Sequence, residues 1–139
     1  MEDREIFRKL TKHQRKDIYF DKLSPSDLRR ICNGIDDFIM PSHNNCVIWN
    51  GYISKYKRKS RYINFFFDCR KRALHRLLYH NYIDEINDGD YIKYTCDNRG
   101  VCCNVNHMYK LKYDKYKDIN KSVYVLNAPK KKSFLIVFD

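Results

Sequence analysis

The sequence predicts an α+β fold, with an N-terminal helical layer over residues 1–41 and a strand-rich, metal-binding half over residues 42–139. Three observations predict it. Apolar residues recur at helical spacing as far as Pro41, and from Cys46 onward short aromatic runs alternate with polar turns. Cys96, Cys102 and Cys103 lie within eight residues of one another, with His107 close behind. A chain of 139 residues can bury a core of its own. With 43% hydrophobic and 32% charged residues, four Gly and three Pro, its composition is neither disordered nor fibrous.

The elements follow in order. Ile6, Phe7 and Leu10, then Ile18, Tyr19 and Phe20, give residues 4–20 an imperfect helical pattern. Ser24-Pro25-Ser26-Asp27 reads as a helix start, with Pro in the first turn and polar caps around it. Leu28, Ile31, Cys32, Ile35, Phe38 and Ile39 then share one face until Pro41, which places Cys32 in the core. Val47–Trp49 and Tyr62–Phe67 read as strands around the basic turn Lys55–Arg61. Residues 73–83 read as a helix burying Leu74, Leu77, Leu78 and Tyr82, and residues 84–90 as an acidic loop. Tyr91–Tyr94 is a short strand leading to Cys96. A further helix is expected from near Asn104 through the Lys/Tyr stretch to Lys121, with final strands over 122–126 and 133–138. Cys69, among aromatic neighbours, reads as a core thiol.

The net charge of +11 favours a polyanionic partner. It is unevenly spread. Residues 55–76 carry nine Lys and Arg against one acid, and residues 109–132 carry eight against two. Residues 77–108 carry two against five. Both basic blocks contain tyrosines, and cations mixed with rings are the composition of a nucleic-acid surface. No apolar run approaches the ~20 residues that a membrane span needs, so no membrane partner is expected. The charged opening Met1-Glu2-Asp3-Arg4-Glu5 lacks the apolar stretch of a secretory signal. An intracellular, non-secreted protein is expected. Abundant Lys, Ile, Asn, Tyr and Asp beside scarce Ala and Gly suggest an AT-rich genome such as that of a large DNA virus, with the host cytoplasm or nucleus as its compartment.

In a reducing compartment, clustered Cys with a nearby His point to metal before disulfides. Structural zinc takes four thiolate or imidazole ligands in a tetrahedron. Cys96, Cys102 and His107 supply three, with Cys103 an alternative to Cys102, and Cys46 is the best-placed fourth. One structural zinc per chain is expected.

Cys46-Val47-Ile48-Trp49-Asn50-Gly51 resembles the Cys-x-x-Trp-x-Gly opening of zinc-loop HNH homing-type endonucleases of the ββα-metal (His-Me finger) superfamily. Ala73-Leu74-His75-Arg76-Leu77-Leu78-Tyr79 is similar to their Ala-His-Arg-x-x-Tyr segment, with one extra residue. Cys96-Asp97-Asn98 and Cys102-Cys103-Asn104-Val105-Asn106-His107-Met108 resemble their zinc loop, again with one extra residue between the cysteines. The resemblance covers roughly residues 46–120. It implies a ββα-metal core with zinc on Cys46, Cys96, Cys102 and His107, and it favours Cys102 over Cys103.

The departures bear on function. The resemblance places a general-base His two residues before the first zinc-loop Cys, where this chain has Tyr94. It places a magnesium-binding Asn nine residues beyond the last zinc ligand, where this chain has Tyr116. A tyrosine hydroxyl, with a pKa near ~10, is a poor base at neutral pH. The nearest substitutes are His75 and His80, which at ~100° per helical residue project about 140° apart and do not form one site. The reading is therefore a zinc-stabilised nucleic-acid-binding protein, with DNA the expected polymer, on a nuclease scaffold that has lost its chemistry. Lys55, Lys57, Arg58, Lys59 and Arg61, with Arg70, Lys71, Arg72 and Arg76, would contact phosphates from the hairpin side. Lys110, Lys112, Lys115 and Lys117 would do so from the post-zinc helix. Two alternatives are an active metal-dependent endonuclease with a relocated base, and a viral factor that engages a viral or host protein through residues 1–41.

Overall fold

A computed structural model describes residues 2–56, 60–113 and 123–126. The fold is α+β. Helices α1 (Asp3–His13) and α2 (Pro25–Cys32) come first. Then follow strands β1 (Ser54–Tyr56), β2 (Ser60–Tyr62), β3 (Asn64–Phe67) and β4 (Arg70–Ala73), and helix α3 (Leu74–Tyr82). Strand β5 (Asp90–Tyr94), a 3-10 turn (Val105–His107), β6 (Met108–Tyr113) and β7 (Val123–Leu126) complete the order. β1 pairs with β2, β3 with β4, and β5–β6–β7 form a three-stranded antiparallel sheet. None of the described helices is long and apolar enough to cross a membrane.

The start of α2 is written locally. Ser24 Oγ accepts the Asp27 amide at 3.1 Å, and Asp27 Oδ2 accepts the Ser24 amide at 2.9 Å, with Pro25 in the first turn. This reciprocal cap satisfies two of the amides a helix start leaves open. Both N-terminal helices are shorter than their apolar spacing predicts. α2 stops at Cys32, and Ile35, Phe38 and Ile39 are buried from turns instead. α1 stops at His13 because Arg15 is recruited elsewhere. Its amide donates to Asn81 O at 2.9 Å and its guanidinium to His80 O at 2.7 Å. Those carbonyls belong to the last turn of α3, which has no partners within its own helix. Ile18, Tyr19 and Phe20 are consequently not helical, and Tyr19 is exposed.

The expected strand at Val47–Trp49 reduces to a single bridge between Ile48 and Cys102. The expected strand over 62–67 divides into β2 and β3. In β3–β4, Phe65 and Phe67 face the core, whereas Phe66 is 57% exposed on the outer face. Asp68 and Cys69 turn the hairpin with φ of 54° and 66°, the double positive φ of a tight two-residue loop. Cys69 is therefore an exposed turn residue and not a core thiol.

The helix expected from Asn104 is corrected for its described part. After the 3-10 turn, residues 108–113 form β6, registered against β5 from Asp90↔Lys112 to Tyr94↔Met108. Tyr109, Leu111 and Tyr113 alternate with Lys110 and Lys112, a period of two that suits a strand. The remainder of that expected helix, with Lys115, Tyr116 and Lys117, and the strand expected over 133–138, lie outside the described residues. A single hydrophobic cluster joins Ile6, Leu10, Leu28 and Ile31 of the N-terminal segment to Phe65, Leu74, Leu78, Val105 and Met108.

Candidate metal centre and basic groove

Cys46, Cys96, Cys102 and His107 place their ligand atoms within 4.8 Å of one another. Three segments converge to do this: the stretch before Trp49, the loop after β5, and the 3-10 turn. The bridge Ile48↔Cys102 and the bonds Cys103 N–H to Val47 O (2.6 Å) and Trp49 N–H to Val101 O (3.1 Å) clamp the first two. His107 Nδ1 lies 3.7 Å from Cys46 Sγ and 3.6 Å from Cys102 Sγ. A tetrahedron with metal–sulfur bonds of about 2.3 Å has edges of roughly that length.

The surroundings prepare the donors. His107 Nε2 faces the Asn44 carbonyl at 2.9 Å, which fixes the ring with Nδ1 free to ligate. The Asn98 amide nitrogen points at Cys46 Sγ (3.3 Å) and the Asn104 N–H at Cys102 Sγ (3.4 Å), both suited to a sulfur bearing negative charge. Burial raises the Cys96 thiol and pushes Cys102 up to about 12, with the neighbouring sulfurs adding to the effect. Without a cation the cluster favours thiols, and a cation would displace their protons. Cys103 is fully buried beside this set but is not part of it, and burial raises its pKa too. Cys32 is likewise a buried thiol in the α2 stripe.

The basic residues fall into distinct settings. Lys55 and Arg61 are exposed and face each other across β1–β2; Lys57, Arg58 and Lys59 lie outside the described residues. Arg70 and Lys71 are exposed on β4. Arg72 is tied to Asp21 at 2.6 Å, and Arg76 donates to Asp90 O at 2.6 Å. Lys112 is half-exposed and lies 3.7 Å from Asp90. Lys110 is buried, held by Asp84 Oδ2 at 3.0 Å and Glu85 O at 2.9 Å, so its ammonium braces the acidic loop.

Two cations escaped the sequence reading. Lys93 and Arg99 join Arg61, Tyr94 and Tyr109 in lining a groove of about 580 Å³. They are the two basic residues of the otherwise acidic segment 77–108, so block charge concealed them. Gly100 seats the Arg99 loop on β2: its φ is +86°, and a Cβ there would strike the Arg61 carbonyl oxygen.

The histidines occupy non-equivalent sites. His80 is buried, with Nδ1 accepting the Ile86 amide at 3.0 Å and Nε2 donating to Phe20 O at 2.7 Å. Both nitrogens are used, and the ring is a structural bridge. His75 lies against Tyr94, ring centroids 5.8 Å apart. Burial, aided by Arg76, lowers its pKa to about 4 and holds it neutral. His75 Nδ1 is buried without a hydrogen-bond partner among the described residues. Burial raises the Tyr94 pKa far above neutrality.

The chain is similar to Uncharacterized protein R328 of Acanthamoeba polyphaga mimivirus. The two are 44% identical over 131 residues, which cover 92% of this chain and 36% of that protein. The chain thus spans about a third of the curated relative it matches. A viral relative supports the viral origin suggested by composition. No known family and no solved structure matches the chain.

Proposed function

We propose that the chain is a zinc-stabilised nucleic-acid-binding protein, which holds the phosphate backbone of DNA in a basic groove beside its metal centre without cutting it. One observation carries this reading: Arg61, Lys93 and Arg99 line one groove whose lining, among the described residues, contains no carboxylate. Lys55 faces Arg61 directly across β1–β2, and like charges so placed repel. A phosphate between them turns that repulsion into attraction. Tyr109 supplies a ring for a sugar or base to pack on.

Three thiolates and one imidazole suit zinc, a borderline-soft ion content with tetrahedral geometry. With four protein ligands, bound zinc supplies folding energy and leaves no coordination position for water. The antiparallel β5–β6 pair around the Cys/His loop is compatible with the two strands of a ββα-metal scaffold. On that scaffold Tyr94 occupies the base position, and a buried hydroxyl with a raised pKa cannot accept a proton from water near pH 7. The functional reading is therefore a degenerate HNH scaffold that retains binding.

Anisotropy titration of the zinc-loaded chain with duplex DNA tests this. Three groove contacts predict a slope of log affinity against log salt of about −3, and Arg61→Gln and Lys93→Gln each reduce it by about one. Binding that does not change between about 50 and 300 mM salt refutes the reading. A second reading, hydrolysis with His75 as relocated base, draws on its neutral imidazole, whose buried Nδ1 has no hydrogen-bond partner among the described residues. It requires plasmid nicking with Mg²⁺ that His75→Ala abolishes.

A further inference from the structure

We propose a second anion site, a pocket for a phosphate monoester of a nucleoside, between the β3–β4 hairpin, α3 and the connection before α2. The cavity measures about 330 Å³ and shares no lining residue with the basic groove. Arg70, Arg72 and Arg76 line it, opposed by the carboxylates of Asp21 and Asp88, so an excess positive charge remains.

The three guanidiniums differ in what already holds them. Arg72 is bidentate on Asp21, at 2.6 and 3.4 Å, and that pair is internally neutral. Asp21 is positioned for it by a left-handed backbone, φ 55°. Arg76 donates to two backbone carbonyls, Asp90 O at 2.6 Å and Asn87 O at 3.3 Å, which orient it without cancelling its charge. Arg70 is exposed and makes no ion pair among the described residues. Asp88 is exposed in the 84–90 loop. Two guanidiniums without a carboxylate ion pair among the described residues thus face one cavity beside the exposed Asp88, a net positive site whose forked donors suit the acceptor oxygens of a phosphate monoester.

The shape selects the same ligand. Buried Leu77 and Ile86 are among its lining residues, and about 330 Å³ gives room for a terminal phosphoryl group with its nucleoside rather than for a run of chain. Beside it, Phe20 is 41% exposed although its ring packs on His80 at 4.6 Å between centroids. His80 spends both ring nitrogens holding the Phe20 and Ile86 backbones. The Phe20 ring is therefore a fixed aromatic face next to an anion pocket, and a planar base can stack on it. A free nucleotide and the 5′-phosphorylated end of a strand share this chemistry. The pocket does not depend on the backbone-binding groove.

The experiment uses the full zinc-loaded chain and four probes: adenosine monophosphate, adenosine, and one single-stranded oligonucleotide with either a 5′-phosphate or a 5′-hydroxyl. Adenosine monophosphate is expected to bind at least about tenfold more tightly than adenosine, and Arg70→Gln to weaken it about tenfold. Arg70 is exposed, so this variant keeps its circular dichroism spectrum. A 5′-phosphate preference of about tenfold, lost in Arg70→Gln, identifies a strand end as the natural source. Equal oligonucleotide affinities with nucleotide binding intact identify the free nucleotide. If the nucleotide binds and neither oligonucleotide does, the pocket stands as a site for the free nucleotide, and the groove reading is decided by the duplex titration alone. If adenosine monophosphate binds no better than adenosine and the 5′-phosphate gives no advantage, the pocket is refuted, whatever the groove does.

Discussion

Replacing Asn81 by Leu removes the polar hub that fastens the N-terminal segment to α3. The Asn81 side chain is fully buried and makes four hydrogen bonds. Its oxygen accepts Gln14 Nε2 at 2.8 Å and the Leu23 amide at 3.0 Å. Its nitrogen donates to Asp21 O at 3.0 Å and Leu77 O at 2.9 Å. Gln14 keeps a second acceptor in Leu23 O at 3.0 Å, but the buried Leu23 amide loses the side-chain oxygen it donates to. A buried group left unpaired costs about 1–3 kcal/mol, and each lost ordinary bond about 1 kcal/mol. The extra methyl groups recover part of this, so a net loss of about 3 kcal/mol is expected, a large share of the ~5–15 kcal/mol that holds a domain. Urea unfolding should show a lower midpoint with an unchanged slope. Hydrogen exchange should show the Leu23 amide losing protection before the β5–β6 amides do. A stability loss under about 1 kcal/mol, or protection lost evenly, refutes the assigned role.

Three further outcomes are expected. His75 is neutral in the fold with a pKa near 4. Below the unfolded value of ~6.5, the unfolded chain therefore gains a proton that the native state refuses until about pH 4. Stability should fall across that window by at most about 3 kcal/mol, and His75→Gln should flatten the fall; an unchanged pH profile contradicts it. Gly100→Ala should cost about 2–4 kcal/mol and weaken DNA binding by displacing Arg61, whereas a wild-type melting curve would show that the close approach is dispensable. One zinc per chain should be found by metal analysis and be lost in His107→Ala. Chelation should lower the melting temperature by about 10 °C or more, and a chelator-insensitive melt removes the metal from the folding argument.

What the sequence made legible was local in character. The cap of α2 could be read because Ser24, Pro25 and Asp27 act on one another within a single turn. The Cys/His set could be read because three of its four members are near neighbours and Cys46 precedes a recognisable aromatic turn. The early ends of α1 and α2 could not be read, since they are set by contacts distant in sequence: Arg15 answering carbonyls of α3, and Gly34 turning under Trp49. The strand β6 is hard to read although its alternation is present, because Lys110 occupies an apparently polar position that is buried. Summing charge by blocks located the basic hairpin but concealed Lys93 and Arg99, which become neighbours of Arg61 only after folding. Individual lysines could not be sorted into surface and interior from composition, as the acid that receives Lys110 lies 26 residues away.

Trp49, the single tryptophan of the chain, is packed so closely against Gly34 and Gly51 that a side chain at either would collide with the indole. It stands three residues from Cys46, and its own amide is bonded to the loop that carries Cys102. The indole thus touches the N-terminal segment on one side and is leashed to the Cys/His cluster on the other. The protein therefore contains its own optical probe: one emission spectrum registers both whether the two parts of the chain are docked and whether the ligand loop is closed. Comparing its response to a chelator with its response to denaturant would show whether those two events are separable.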